Sequence, residues 1–367
     1  MNTLIAQRWS SLLPPLRLDP VLTLLLLALM GFGLMVLYSA TEQNMALVSR
    51  QGIRLGFGLV VMLVMAQLPP RLYQLWAPWL FLLAVLMLVA VLLFGVGRGA
   101  QRWLDLGVIR FQPSEGMKLA LPLVLAALLA RRPLPPGWLD LGLCLALIGL
   151  PVGLIVLQPD LGTGVLVAAS GLALLFLAGL RWRLILLMGG AVIAALPVVW
   201  LNLHQYQRHR VLTFLNPESD PLGQGWNIIQ SKIAVGSGGL TGKGWTNSTQ
   251  SHLEFLPEPH TDFIFSVLAE EFGFIGVVAV LVLYGAITLR ALYLASNCRD
   301  NFGRLLSGSL VLMFFFYLVV NVAMVSGLLP VVGVPLPLVS YGGTSAVSLL
   351  AGFGLVMGLY SRRRFMG

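Results

Sequence analysis

Apolar residues continue for about the length that crosses a bilayer, roughly 20 residues, again and again along this chain. The runs fall near 20–39, 53–68, 72–95, 113–130, 138–157, 162–180, 182–203, 263–293, 303–329 and 340–361. Between them lie short polar stretches rich in Pro, Gly and Arg. No sustained period-2 alternation competes with this pattern. The reading is an all-α, polytopic integral membrane protein with about ten transmembrane helices, forming a single domain over 1–367. The first run is longer than the apolar region of a signal peptide and follows a polar stretch with Arg8 and Arg17, so it reads as a retained helix.

Basic residues orient the predicted helices. With the N-terminus inside, the inner loops hold Arg71, Arg131 and Arg132, Arg181 and Arg183, Arg299 and Arg304, and the tail Arg362–Arg364. The outer loop 39–52 holds one Arg and 331–339 holds none. Two outer stretches stand apart. Segment 96–118 is basic although it is short. Segment 204–262 is long, rich in Gly, Asn, Ser and Pro, and lies between the seventh and eighth spans. Loops longer than about 12–15 residues are commonly functional or disordered. Trp226, Trp245 and Phe255 imply an ordered loop packed on the membrane.

Composition agrees with lipid as the solvent. Hydrophobic residues make up 58% and charged residues 10% of the chain, against about 25% charged in a soluble domain. Mean hydropathy is +0.89. The net charge of +9 is what basic inner loops produce. No Lys/Arg run interleaved with aromatics supports nucleic-acid binding. Cys144 lies in an apolar run and Cys298 in a short basic loop; neither position suggests a disulfide.

In such a chain, ionisable side chains at helix ends or within spans are the first candidates for chemistry. In Phe111-Gln-Pro-Ser-Glu-Gly-Met-Lys118, Pro113 suits a first helical turn, and Glu115 and Lys118 share a face three residues apart. A plain helix start with a local ion pair remains the alternative. In Leu157-Gln-Pro-Asp-Leu-Gly-Thr-Gly164, Asp160 follows a proline between two apolar runs; an N-cap or a tight turn is favoured there over a site residue. In the stretch 253–265, Glu254, Glu258, His260 and Asp262 cluster, with Glu270 and Glu271 following about two turns into a span. Thr261 or Asp262 would also serve as a helix cap. Buried carboxylates are expensive, so Glu270 or Glu271 is expected to face a wet cavity. Glu258, His260 and Asp262 alternate and form a weak candidate set for a divalent cation. Gly236–Gly244 resembles a phosphate loop at first sight. It fails that pattern, because Ser237 and Gly244 stand where Gly and Ser/Thr are required.

Five strings carry a resemblance: RWLDLGVIRFQPSEGMK, QPDLGTG, QRHRVLTFLNPESDPLGQGWNIIQSKIAVGSGGLTGKG, LPEPHTDFIFSVLAEEFGFIG and LPLVSYGGTS. In this order they resemble the SEDS family (shape, elongation, division, sporulation) from the first span to the basic tail. The stretch Gln250–Glu258 is more similar to the elongation branch than to the division branch. The resemblance implies a peptidoglycan glycosyltransferase of the bacterial cytoplasmic (inner) membrane. Both termini would be cytoplasmic and the active site would face outward. It would polymerise lipid II beside a class B penicillin-binding protein and other elongation-complex proteins. It marks Asp262 as essential and points to Glu115, Lys118 and Asp160.

Joining a sugar hydroxyl to an anomeric carbon that carries a lipid diphosphate needs a base and cations. Asp262 is the expected base. Lys118, Arg210, Arg102, Arg110 and Lys243 are the expected diphosphate ligands. Glu115 would position Lys118 or help hold a metal; Glu258 and His260 are supporting candidates. The cofactor reading is open between none and one divalent cation, Mg or Mn. Gly236–Gly244 would let backbone approach substrate or would simply be a flexible loop. Two rival readings survive at this level: a flippase or transporter for the same lipid, and a scaffold for the penicillin-binding protein.

Overall fold

A computed structural model describes residues 17–96, 102–105, 107, 110–202, 205–220, 223–249 and 260–361. Helices form at all ten predicted runs: α1 Pro20–Ala40, α2 Met45–Gln67, α3 Pro70–Phe94, α4 Pro113–Leu129, α5 Trp138–Leu157, α6 Leu161–Leu177, α7 Trp182–Asn202, α10 Ile264–Ser296, α11 Asn301–Val325 and α12 Thr344–Ser361. Between α7 and α10 lie α8 Gln205–Leu215 and α9 Gln224–Ser237. A short antiparallel pair, β1 Leu104–Asp105 with β2 Arg110–Phe111, precedes α4. Seven of the described helices are long and apolar enough to cross a membrane, fewer than the ten expected. Two of the other three, α4 and α6, are 17 residues each, short for a full crossing.

Local chemistry sets the helix starts. Asp19 caps α1, accepting from the Leu22 amide at 2.8 Å, with Pro20 in the first turn. Asn44 caps α2, accepting from Ala46 and Leu47. Asp160 caps α6 and Asp300 caps α11. A side-chain oxygen here satisfies an amide that the helix cannot. The Asn44 cap also corrects a boundary. The second helix begins at Met45 and not near 53, so Gln51 and Arg54 are helical and the connection between α1 and α2 shrinks to a tight turn.

Outward-facing Leu24, Ile53, Trp79, Phe94 and Leu289 are each more than half exposed, as suits side chains whose solvent is lipid. Inside, α11 and α12 are the most enclosed of the spanning helices. Helix α12 packs chiefly on α2, and α11 on α10 and α6. At the opposite end from the site, Arg290 clasps Asp19 through two hydrogen bonds of 3.0 and 2.6 Å.

Helix α10 is broken. Gly273 has φ 64° and ψ −163°, which only glycine adopts at little cost. The Gly238–Gly244 loop fills the break. Lys243 and Gly244 amides donate to the Glu270 and Glu271 carbonyls at 3.0 Å each, and Phe274 and Ile275 amides donate to Gly239 and Leu240 at 2.9 and 3.1 Å. Backbone groups freed by the break are thereby paired within protein, as a membrane site requires. The glycine-rich stretch therefore approaches a helix backbone, rather than being only a flexible loop or a substrate cradle. A Cβ on Gly242 would lie 2.1 Å from the Glu271 carbonyl oxygen.

Candidate active site

One cavity of about 260 Å³ opens where α3, α5 and α11 end and α4, α6, α10 and α12 begin. Its walls include Arg102, Glu115, Lys118, Asp160 and Asp262, residues 160 positions apart in sequence at the extremes. The short-range reasons are visible in each. Pro113 starts α4 and aims Glu115 and Lys118 inward. Asp160 both caps α6 and lines the cavity. Asp262 lies in the turn just before α10.

Lys118 and Glu115 form a buried ion pair, Nζ to Oε1 at 2.6 Å. Ser348 Oγ donates to the other Glu115 oxygen at 3.0 Å. Lys118 also donates to the Tyr317 hydroxyl. An ammonium has three N–H donors, so one remains for a ligand in the cavity. Across the wall, Arg102 Nη1 stands 3.6 Å from Asp160 Oδ1, and Gln112 Nε2 donates to Asp160 Oδ2 at 3.2 Å. Arg102 keeps a quarter of its side chain exposed. The turn bearing Asp262 is stitched to the loop before α12: the Tyr341 amide donates to the His260 carbonyl at 2.8 Å, and the two rings meet edge to face.

Several side chains at the site had no role in the sequence reading: Gln112, Thr163, Tyr317, Tyr341 and the run Gly342–Ser345 line the cavity. Arg54 stacks over Tyr341, 4.6 Å from the ring centroid. A signal existed in Ser340-Tyr-Gly-Gly-Thr-Ser345, small and hydroxylic residues heading an apolar run. The residues 340–343 form a loop ahead of α12 and not its first turn.

Other candidates lie elsewhere. Lys243 is outside the cavity lining and pairs with Glu270 at 2.6 Å. Glu270, 0% exposed, also accepts from Ser248 Oγ and from the Thr249 amide and hydroxyl. Glu271 accepts from Ser39 Oγ of α1. Neither carboxylate lines the cavity, as at least one had been expected to; they fasten the loop before α10 to α10, and α10 to α1. The side chains of Arg110 and Arg210, and Glu258 altogether, lie outside the described residues. Among the described residues no three His, Cys, Asp or Glu converge as a cation site.

The family model described as "cell cycle protein", covering FtsW, RodA and SpoVE, matches residues 20–364. The chain belongs to that family. The peptidoglycan glycosyltransferase MrdB of Escherichia coli (strain K12) is 53% identical over 351 residues, 95% of each chain. A probable peptidoglycan glycosyltransferase FtsW of Trichlorobacter lovleyi is 38% identical, over 93% of this chain and 92% of its own. A solved chain from a study of how a peptidoglycan synthase complex coordinates polymerization and crosslinking superposes with TM-score 0.82 at 38% identity. That match covers 95% of this chain and 99% of the other. The family and the helices together make this a multi-pass protein of the inner membrane.

Proposed function

We propose that the protein is a peptidoglycan glycosyltransferase of the elongation type. It polymerises lipid II at the outer leaflet and works beside a class B penicillin-binding protein. The observation that carries this reading is the cavity itself, which combines Asp262 with Lys118 and Arg102 at one end of the bundle. The 53% identity to the MrdB of Escherichia coli, against 38% to the FtsW of Trichlorobacter lovleyi, favours elongation over division. The likeness to a chain of a synthase complex supports the partner.

The acceptor sugar hydroxyl attacks the anomeric carbon of the donor. The bond from that carbon to the diphosphate oxygen breaks, and the anomeric configuration inverts once. Asp262 takes the hydroxyl proton as the new bond forms, as an ionised carboxylate can at neutral pH. Lys118 and Arg102 balance the charge that moves onto the departing lipid diphosphate. Glu115 holds Lys118 in place. The polyprenyl tails stay in the bilayer while the head groups enter the cavity. A divalent cation here would be held by one carboxylate and substrate oxygens, and no step above is routed through it.

Glu270 and Glu271, the residues that most favoured the flippase reading, are engaged in contacts with Ser248, Thr249, Lys243 and Ser39 among the described residues. The test is polymerisation of labelled lipid II by purified protein with its penicillin-binding partner. Long strands are expected from wild type and none from a folded, partner-bound Asp262→Ala. Equal strands from both would remove Asp262 as the base. Lipid II moved across vesicles with no strands formed would replace the enzyme by a transporter.

A further inference from the structure

Asn321 lies on α11 one turn beyond Tyr317, so the two share a face. Tyr317 lines the cavity against Lys118. Asn321 is fully buried, at 0% exposure. Its amide nitrogen donates twice, to the Asp262 carbonyl at 3.0 Å and to the Val334 carbonyl at 2.7 Å. Those acceptors fix the orientation of the amide: turned over, its oxygen would face two carbonyl oxygens. Its own Oδ1 is buried and has no donor among the described residues.

That orphan acceptor is informative. A buried acceptor without a partner is destabilising, whereas an apolar residue of similar volume carries no such cost. Asparagine is a poor choice for packing alone at this position. What it does accomplish is to tie two separate walls of the cavity, the turn at Asp262 and the strip Gly333–Pro335, to one rigid helix. The strip is close to the carboxylate. Gly333 has φ 72°, and a Cβ added there would lie 3.5 Å from Asp262 Oδ2. The Asp262 carboxylate therefore passes close to the Gly333 backbone, and Asn321 bonds both the turn that carries it and the strip beside it.

We propose that Asn321 is a positioning residue for Asp262. By holding the 262–263 peptide and the Val334 carbonyl at once, it fixes the direction from which the carboxylate meets the acceptor hydroxyl. The inference rests on Asp262 being the base.

The test compares wild type with Asn321→Leu, which keeps bulk and removes both donors, in the complex with the penicillin-binding partner. Lipid II polymerisation is measured per folded molecule across pH. The expected result is a kcat lowered roughly 10- to 100-fold, as for a misplaced catalytic group. KM should change by less than about threefold. The acid limb of kcat should move from its wild-type position, since that limb reports the base. A wild-type kcat and acid limb, with only folded yield or thermal midpoint reduced, would overturn the proposal. Where Asn321→Leu does not fold, Asn321→Ser is read in the same way; loss of folded protein in both assigns Asn321 to the core and also overturns it. An active Asp262→Ala removes the base instead, whereas an inactive Asp262→Ala beside a normal Asn321→Leu removes only this inference.

Discussion

Lys118 and Glu115 show how one pair serves stability and chemistry together. Both side chains are under one-tenth exposed and meet at 2.6 Å. Removing one partner strands the other as a buried charge, at a cost of about 3–5 kcal/mol. Lys118→Met and Glu115→Gln should each lower the thermal midpoint and abolish polymerisation. The double variant should lose less stability than the two singles added together, with a coupling of about 1–3 kcal/mol. Strict additivity, measured by thermal unfolding in detergent, would mean that the pair does not interact. Lys243 and Glu270 make an equally short pair, but they are 27 residues apart and nothing in the sequence links them. Glu115 and Lys118 lie three apart at the start of α4, whereas Lys243 lies in a loop and Glu270 about two turns into α10. Their surroundings differ too: one pair faces the cavity, and the other is surrounded by Ser248 and Thr249.

The broken helix α10 and the loop that fills it belong together. Gly236 and Gly242 stand in one glycine-rich run, yet they meet opposite conditions. A Cβ on Gly236 would touch nothing within 4 Å, whereas Gly242 has φ 79° and faces the Glu271 carbonyl. Gly236→Ala, inside α9, should be neutral or stabilise by up to about 1 kcal/mol. Gly242→Ala should destabilise by more than about 2 kcal/mol, since it combines a forbidden backbone region with a clash. Similar thermal midpoints for the two variants would contradict the docked loop. At the start of α2, Asn44→Ala should cost about 1 kcal/mol through the lost cap, again read by thermal unfolding. That cap was available to sequence reading, but Ser49, Arg50, Gln51 and Arg54 interrupt the apolar pattern there and hid the first two turns of the helix. Their polarity is tolerated because Gln51 is buried against the loop before α12, donating to the Ser340 carbonyl and accepting from the Gly342 amide.

For the whole molecule the decisive property is sidedness. The cavity lies at one end of the bundle, and the proposed reaction requires that end to face outward. The two native cysteines give a clean background for a test. Cys144 is 0% exposed and Cys298 6%. Burial pushes the Cys298 thiol up to about 11, with Asp300 adding to the rise against Ser307 and Arg304. The thiolate is the reactive form, so Cys298 stays unreactive at neutral pH. An impermeant maleimide should leave the native protein unlabelled and modify both cysteines after denaturation. In intact cells stripped of outer membrane, Asn247→Cys should label and Arg131→Cys should not until the inner membrane is opened. The reverse pattern would put the cavity on the cytoplasmic side and sink the outer-leaflet reaction.

What the sequence by itself determined was local. A run of apolar residues decides a spanning helix, because desolvating the backbone leaves it no alternative. Asp19, Asn44, Pro113, Asp160 and Asp300 mark helix starts within one turn of themselves. The rarity of charge in this chain made Glu115, Lys118, Asp160 and Asp262 conspicuous before any packing was known. Which of the charges meet was decided only by the tertiary structure. Lys118 finds Tyr317, Glu115 finds Ser348, and Asp262 is held through Asn321, all across long stretches of chain. Lys243, Glu270 and Glu271 were equally conspicuous and turned out to fasten a loop into a broken helix. The cost of a buried charge is readable from one residue, but the partner that offsets it depends on how distant helices pack.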